Sequence, residues 1–200
     1  MLDPNNIFLI GNPEFYSDPQ KNMFRSEIWD DYESMNEDLI SYWNETVNKD
    51  NIVYIICGKG GIENSFFKNK LNEKLNGEII LIQNKNSSIP KYYNHFVSEA
   101  EFVHVKAIDL NIQYTIYLTN FLEHINRVEA NFTVTSCLTN NLKKVNEKFI
   151  YYESKEGSHI FVNNLNKPVF NLSADLWEFK PVRLSTLLEI YKSYCIFNSE

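Results

Sequence analysis

The sequence has few of the features that mark secreted, zinc-binding or membrane proteins. Its three cysteines, Cys57, Cys137 and Cys195, are widely spaced and odd in number, so they form neither a disulfide framework nor a Cys-x-x-Cys zinc pair. No apolar run approaches the ~18 residues that cross a bilayer. The first residues lack the basic and long apolar regions of a signal peptide. We therefore expect a cytoplasmic protein without a membrane segment.

The chain is also poor in clustered positive charge. Its formal net charge is -7, and short basic spots such as Lys143–Lys144 are flanked by acidic residues. A protein that grips a nucleic-acid backbone needs a cation for each phosphate contact and usually has a basic stripe. We therefore expect no nucleic-acid partner.

What the sequence does contain is the pattern of a single α/β domain over residues 1–200. Hydrophobic residues make up 44% of the chain, which is enough for a sizeable core. In the first half, short apolar runs alternate with segments that have apolar residues at helical spacing. This order predicts βαβ units and a parallel core sheet. The predicted elements are strands over 6–10, 52–57 and 79–82 and helices over 32–47 and 65–75.

The second half changes to many short strands. Residues 102–108 and 113–118 are separated by a short polar turn and predict a hairpin. Together the two halves predict two facing mixed sheets with helices outside. Further strands are predicted over 132–135, 149–152, 159–162 and 169–172, followed by a helix over 185–194 that Ser185 would cap.

Several segments resemble the small bacterial and phage calcineurin-like metallophosphoesterases. Met35–Val47 matches a helix of that family residue for residue, reading Met-Asn-x-x-Leu-Ile-x-x-Trp-Asn-x-x-Val. Leu75-Asn76-Gly77 matches a later turn. Asn171–Val182 is similar to the closing Asn-Val-x-x-Asp-x-Trp-x-x-x-Pro-Val motif. The resemblance implies the calcineurin-like fold, with two sheets sandwiched by helices.

The positions that hold two metal ions in that family are changed here. The family's Asp-x-His corresponds to Asn12 and Glu14, and its Gly-Asp to Cys57 and Gly58. A glycine therefore stands where the bridging carboxylate is expected. The family's Asn-His-Asp, lone His and paired His positions correspond to Asn84, Lys85, Asn86, Asn120, Cys137 and Thr139.

These replacements predict the loss of the two-metal centre. A divalent pair needs anionic or imidazole ligands to replace its water shell, which neutral amides and a glycine do not provide. We therefore expect no catalytic residues and no cofactor. The alternative is a site for a divalent metal such as Mn or Zn, built in an unconventional way from Glu14, the cysteines or histidines.

Each remaining candidate residue also has a purely structural interpretation. Glu14 fits an ordinary polar loop, and Cys57 and Cys137 fit buried free cysteines as well as a thiolate site or a reactive thiol. The glycine-rich stretch 58–61 lacks the phosphate-loop pattern. The histidines are scattered without an i, i+4 pair and fit surface or structural positions; they are His95, His104, His124 and His159.

Three functions follow as hypotheses. The first is a pseudoenzyme that binds a small anionic ligand on Lys85 and its neighbouring amides, at the strand ends where α/β proteins bind ligands. The second is an interaction surface for a protein partner, since aromatic residues make up 14% of the chain. The third, an alternative to both, is an active metal-dependent phosphoesterase with an unconventional site.

Overall fold

The computed structural model describes residues 2–57, 71, 73–82, 102–119, 129–136, 150–153, 159–162 and 167–197. This part of the chain is an α/β structure with two mixed sheets. Its helices are α1 (Met23–Ser26), α2 (Tyr32–Thr46) and α3 (Leu184–Phe197). Its strands are β1 (Ile7–Gly11), β2 (Ile52–Ile56), β3 (Glu78–Ile82), β4 (Phe102–Asp109), β5 (Ile112–Thr119), β6 (Phe132–Thr135), β7 (Ile150–Glu153), β8 (His159–Val162), β9 (Pro168–Asn171) and β10 (Val182–Arg183).

The smaller sheet has four strands in the order β10-β1-β2-β3. Strands β1, β2 and β3 are parallel, which confirms the parallel core predicted from the first half of the sequence. Strand β10 pairs antiparallel with β1 and was not predicted. Because β10 has only two residues, it is too short to show a strand period.

The larger sheet has six strands in the order β4-β5-β6-β9-β8-β7. Strands β4 and β5 form the predicted antiparallel hairpin, and Leu110 and Asn111 at its tip have φ of 48° and 65°. The central strands β5, β6 and β9 are parallel, whereas β8 and β7 return antiparallel. The predicted helix over 65–75 lies almost entirely outside the described residues.

Alternate residues of each core strand face two different buried clusters. In β1, Ile7 and Leu9 join a cluster that also contains residues of the larger sheet, whereas Phe8 and Ile10 pack on the side of helix α2. The two sheets therefore face each other across a shared core, and α2 covers the opposite face of the smaller sheet. This alternation is the two-residue period of a strand buried on both faces.

Helix α2 follows the spacing read from the sequence. Met35, Leu39, Trp43 and Val47 are each at most 2% exposed and face the smaller sheet. The side chain of Asp31 accepts hydrogen bonds from the N–H groups of Glu33 and Ser34 and caps the helix. The apolar stripe and the cap together fix where α2 begins and which face it buries.

Helix α3 differs from the prediction in two ways. It begins at Leu184, so Ser185 lies inside the helix and does not cap it. Its residues Leu187 and Leu188 belong to the cluster shared by the two sheets, so α3 contributes to the inter-sheet core and does not lie simply outside it. None of the helices in the described part of the chain has both the length and the apolar character that crossing a bilayer requires.

The two sheets are joined at the end of β1. Gly11 forms an isolated parallel bridge with Ser173, and its N–H donates to the Leu172 carbonyl at 2.5 Å. A Cβ atom on Gly11 would lie 2.5 Å from Cβ of Ser136 and 2.6 Å from the Leu172 oxygen. Only glycine fits this junction without moving the backbone of the larger sheet.

We expect Gly11→Ala to destabilise the protein by about 1–3 kcal/mol, the usual cost of overpacking a well-packed core. Urea unfolding followed by circular dichroism would measure the change. Thr186→Ala, at an exposed position on α3, is the control and should stay within about 0.5 kcal/mol of wild type. Equal stability of the two variants would contradict the close approach at Gly11.

Candidate functional site

The candidate site is the edge at which strands from both sheets end. In the smaller sheet, β1, β2 and β3 are parallel to one another. In the larger sheet, β5, β6 and β9 are parallel to one another. The bridge between Gly11 and Ser173 is parallel, so both sets of strands end on the same side of the molecule. The carboxyl ends of parallel strands are where α/β proteins bind ligands.

Asn12, the first residue after β1, ties the strand ends together. Its backbone N–H donates to the Ile56 carbonyl at 3.0 Å, which extends the pairing with β2. Its side-chain Nδ2 donates to the Ser136 carbonyl at 3.2 Å, just beyond β6. The Asn12 side chain therefore links the two sheets.

The loop after Asn12 has an unusual backbone. Asn12, Glu14 and Tyr16 have φ of 44°, 48° and 59°, in the left-handed region that non-glycine residues rarely adopt. Each such residue costs on the order of 1–3 kcal/mol and persists only where its surroundings hold it. Backbone strain of this kind is concentrated at binding and catalytic sites.

Arg25 binds the backbone of this loop from the buried side. This residue was not identified from the sequence. Its side chain is 0% exposed. Its Nη1 donates to the carbonyls of Pro13 at 3.1 Å and Glu14 at 3.5 Å, and its Nη2 donates to the carbonyl of Asn12 at 3.4 Å. One buried guanidinium thus binds three consecutive loop carbonyls, which its fork of donors allows and a lysine would not.

Asp175 supplies the opposite charge for Arg25. Its Oδ1 accepts from Arg25 Nε at 2.8 Å, and its side chain is 15% exposed. The ring of Phe179 lies 5.4 Å from the guanidinium carbon and adds a cation–π contact. Asp175 lies in the segment after β9, so this segment anchors the loop through Arg25.

The rest of that segment is fixed by short-range hydrogen bonds. Trp177 Nε1 donates to the Asn171 carbonyl at 3.0 Å, and the N–H of Ser173 donates to Asn171 Oδ1 at 3.2 Å. Ser173 Oγ donates to Asp175 Oδ2 at 3.3 Å. These contacts fold the chain back after β9 and direct Asp175 towards Arg25.

Helix α2 holds the far end of the strained loop. Asn36 is 3% exposed, and its Oδ1 accepts from the N–H of Tyr16 at 2.6 Å. Its Nδ2 donates to the Tyr32 carbonyl one turn earlier, which fixes the orientation of the amide. The helix motif therefore contributes a polar anchor to the loop as well as an apolar face.

Glu14 is a half-buried carboxyl group in this loop. Burial raises its pKa above the ordinary value, and the charge of Asp175 adds to the rise, while Arg25 acts in the opposite direction. Glu14 thus lies close enough to the Arg25–Asp175 pair to sense both charges. It is the candidate carboxylate of the sequence analysis that the structure does bring to this edge.

Cys57 lies after β2, but its side chain does not face the strand ends. It is 2% exposed and belongs to the cluster between the smaller sheet and α2. Burial raises the pKa of its thiol to about 12, so it stays protonated at neutral pH. This position agrees with the buried free cysteine that the sequence analysis named beside a role in ligand binding.

The other candidate site residues lie outside the described part of the chain. They are Gly58, Asn84, Lys85, Asn86, Asn120, Cys137 and Thr139. The strands that precede them do end at this edge, and the Cys57 N–H donates to the Ile82 carbonyl at 2.8 Å, which aligns the ends of β2 and β3. Within the described ranges, no three His, Cys, Asp or Glu side chains are grouped so as to hold a metal ion.

Two of the four histidines can be placed. His104 lies on β4 with its ring 5.0 Å from that of Tyr117, and His159 lies in β8.

Two cavities lie away from the candidate site. A cavity of about 310 Å³ lies beside Tyr191 on α3, and one of about 390 Å³ lies beside Trp177 near β10.

Comparisons with known proteins support the fold alone. No protein-family model matches the chain, and no curated protein matches it. The crystal structure of a protein of unknown function, AQ665 from Aquifex aeolicus, is similar, with a TM-score of 0.56 and 10% sequence identity. The likeness covers 92% of this chain and 98% of that one. At this identity it indicates a shared fold and carries no function.

We expect Arg25→Met to destabilise the protein by roughly 3–5 kcal/mol, because Asp175 and three carbonyls would lose a buried partner. Asp175→Asn should cost a comparable amount, and the double variant less than the sum of the two. Chemical denaturation of the three variants would measure this coupling. The matched control is Lys180→Ala, which breaks an exposed pair with Glu45 at 4.0 Å and should cost at most about 1 kcal/mol. Additive losses at Arg25 and Asp175 would contradict the coupling.

We expect Glu14→Gln to change how stability depends on pH. Because the folded state raises the pKa of Glu14, it binds the proton more tightly than the unfolded chain. Wild-type stability therefore falls as pH rises from about 4.3, the ordinary glutamate pKa, through the raised value. Glu14→Gln removes this loss of stability with rising pH. The stability of the variant relative to wild type should therefore be higher at pH values above the raised pKa than at pH values below about 4.3. Denaturation midpoints across pH would show the difference, and a difference independent of pH would contradict it.

Proposed function

We propose that this chain is built on the calcineurin-like metallophosphoesterase plan, has lost the two-metal centre, and binds a small anionic ligand where strands of both sheets end. The observation that carries this proposal is the strained loop with Asn12 and Glu14, which the buried Arg25 holds in place. A fold keeps backbone strain where it positions groups for a ligand.

The architecture supports the family part of the proposal. Two mixed sheets face each other, and their parallel strands end at one edge. The residues that match the family's helix and closing segments make the contacts that shape this edge, through Asn36 and Asp175. The family assignment remains a proposal that rests on these motifs.

The chemistry of the edge supports a ligand held without a metal pair. Among the described residues there, Asn12 contributes a neutral amide, and Glu14 contributes a carboxyl group whose raised pKa favours its neutral form. The sequence places Lys85 between two asparagines three residues after β3. An ammonium flanked by amide donors suits a phosphate or carboxylate group.

A second candidate, the active phosphoesterase, rests on the two carboxyl groups at the loop. Glu14 and Asp175 lie near enough for the charge of one to raise the pKa of the other. Hard divalent cations such as Mg²⁺ are bound through one or two carboxylates together with water and phosphate oxygens. Asp175, however, already binds Arg25, which lowers its availability to a metal.

We expect inorganic phosphate to raise the melting temperature of the wild-type protein and not that of Lys85→Ala. Thermal unfolding at increasing phosphate concentration would measure the change in melting temperature. A ligand that binds only the folded state stabilises that state by mass action. Lys49→Ala is the matched control, because Lys49 is exposed and precedes β2 at the opposite end of the strand. Its response should equal that of wild type.

Elemental analysis separates the two candidates. Protein purified without added metal, then incubated with manganese or zinc, should bind far less than one ion per chain. Near-stoichiometric metal together with hydrolysis of a phosphate ester would overturn the pseudoenzyme proposal in favour of the phosphoesterase. An identical response of wild type and Lys85→Ala to phosphate would overturn the anion site.

A further inference from the structure

The segment from α1 to the first turns of α2 combines exposed apolar side chains with most of the excess negative charge. Phe24, Ile28 and Tyr32 are 63%, 55% and 48% exposed. The acidic side chains around them in the chain are also exposed, and with these three residues they define the acidic-apolar face; they are Glu27, Asp30, Asp31, Glu33 and Glu37. Large exposed apolar groups rimmed by polar residues are typical of binding surfaces.

Two of the three apolar residues of this face share one side of a helical segment. Hydrogen bonds from Ser26 N–H to the Asn22 carbonyl and from Trp29 N–H to the Arg25 carbonyl give α1 and its extension α-helical geometry. Phe24 and Ile28 are four residues apart and so lie on the same side. Arg25, between them in the chain, points inward instead. The buried side chain of Arg25 already attaches α1 to the protein, so the exposed apolar side chains of Phe24 and Ile28 are not needed for that attachment.

Most of the net negative charge of the chain lies in the segment that contains this face. Residues 27–48 contain seven of the 26 acidic residues and none of the 19 basic ones. This segment alone therefore carries the formal net charge of -7, and the rest of the chain is neutral. A potential concentrated on one face selects partners of opposite charge and steers their approach.

Local structure explains only part of this charge. Asp31 caps α2, and Glu33 lies in its first turn, where the helix dipole favours an acid. Glu27 and Asp30 precede the helix without such a role. Glu33 and Glu37, four residues apart on the helix, repel each other. The excess is therefore not required for folding of α2.

We propose that the acidic-apolar face is a docking surface for a basic, amphipathic segment of a partner protein, with Phe24 and Ile28 as its apolar anchors. Nucleic acids and anionic lipid surfaces are repelled by the same charge that attracts a basic peptide. A second copy of the chain would bring the same charge against itself. The proposal is independent of whether the strand ends bind an anion.

The probe is a synthetic helical peptide of about 16 residues with leucines on one face and lysines on the other, in the manner of helix-in-groove ligands. Fluorescence anisotropy would measure its binding to the full-length chain. We expect Phe24→Ser with Ile28→Ser, and separately Glu27→Lys with Glu37→Lys, to weaken binding about tenfold or more, since buried anchors dominate such contacts. Two acidic residues are left unchanged because they have structural roles. Asp31 caps α2, and Asp38 accepts a hydrogen bond from Trp29 Nε1.

Matched controls test whether the face is specific. Leu110→Ser removes an apolar side chain that is 81% exposed at the β4–β5 hairpin, and Glu189→Lys reverses an exposed charge on α3. Both should bind the peptide within about twofold of wild type, a difference under 1 kcal/mol. Circular dichroism and melting temperature would verify that every variant is folded, and the phosphate response should be unchanged in all of them.

Three results would overturn the proposal. The first is an equal loss of binding in the controls and in the face variants. The second is equal affinity for polylysine and for the amphipathic peptide, which would leave no role for the apolar anchors. The third is a dimer, measured by light scattering, that dissociates on Phe24→Ser with Ile28→Ser, because the occupant would then be a second copy.

Discussion

The buried pair of Arg25 and Asp175 is the interaction on which the candidate site depends. It joins the loop after the first strand to the segment after β9, 150 residues later in the chain. Burying two charges is costly, and their attraction repays it only when the remaining donors are also satisfied. Here the guanidinium binds three carbonyls as well as the carboxylate, so the strained loop and the ion pair stabilise each other.

A second constraint acts from the opposite side of that loop. Gly11 brings the end of β1 against Ser136 and Leu172 of the larger sheet, at distances that exclude a side chain. The loop therefore leaves the sheet from a fixed point and passes directly over Arg25. Strain at Asn12 and Glu14 is a consequence of this geometry, since the chain must reverse within a few residues between two fixed anchors.

The sequence could predict those parts of the fold that local periodicity determines. Helix α2, strands β1–β3 and the β4–β5 hairpin each follow from apolar spacing and turn residues, because burial of one face dictates that spacing. Arg25 and Asp175 give no such signal, since neither residue type nor position reveals a partner 150 residues away. Cys57 illustrates the same limit: the motif placed it at the strand ends, but which way its side chain points depends on strand alternation at β2.

The short helical segment around α1 connects the two proposed binding regions. Its inward side chain, Arg25, holds the loop at the strand ends, while Phe24 and Ile28 face outward beside the acidic residues. Trp29, at the end of the same segment, is also buried and donates to Asp38, so two inward side chains fix the position of the segment. A partner that binds the outward side would therefore contact the same turn of helix that fixes Asn12 and Glu14. The two proposed regions therefore share one turn of helix, in which Arg25 follows Phe24 directly in the chain and binds the carbonyls of the loop.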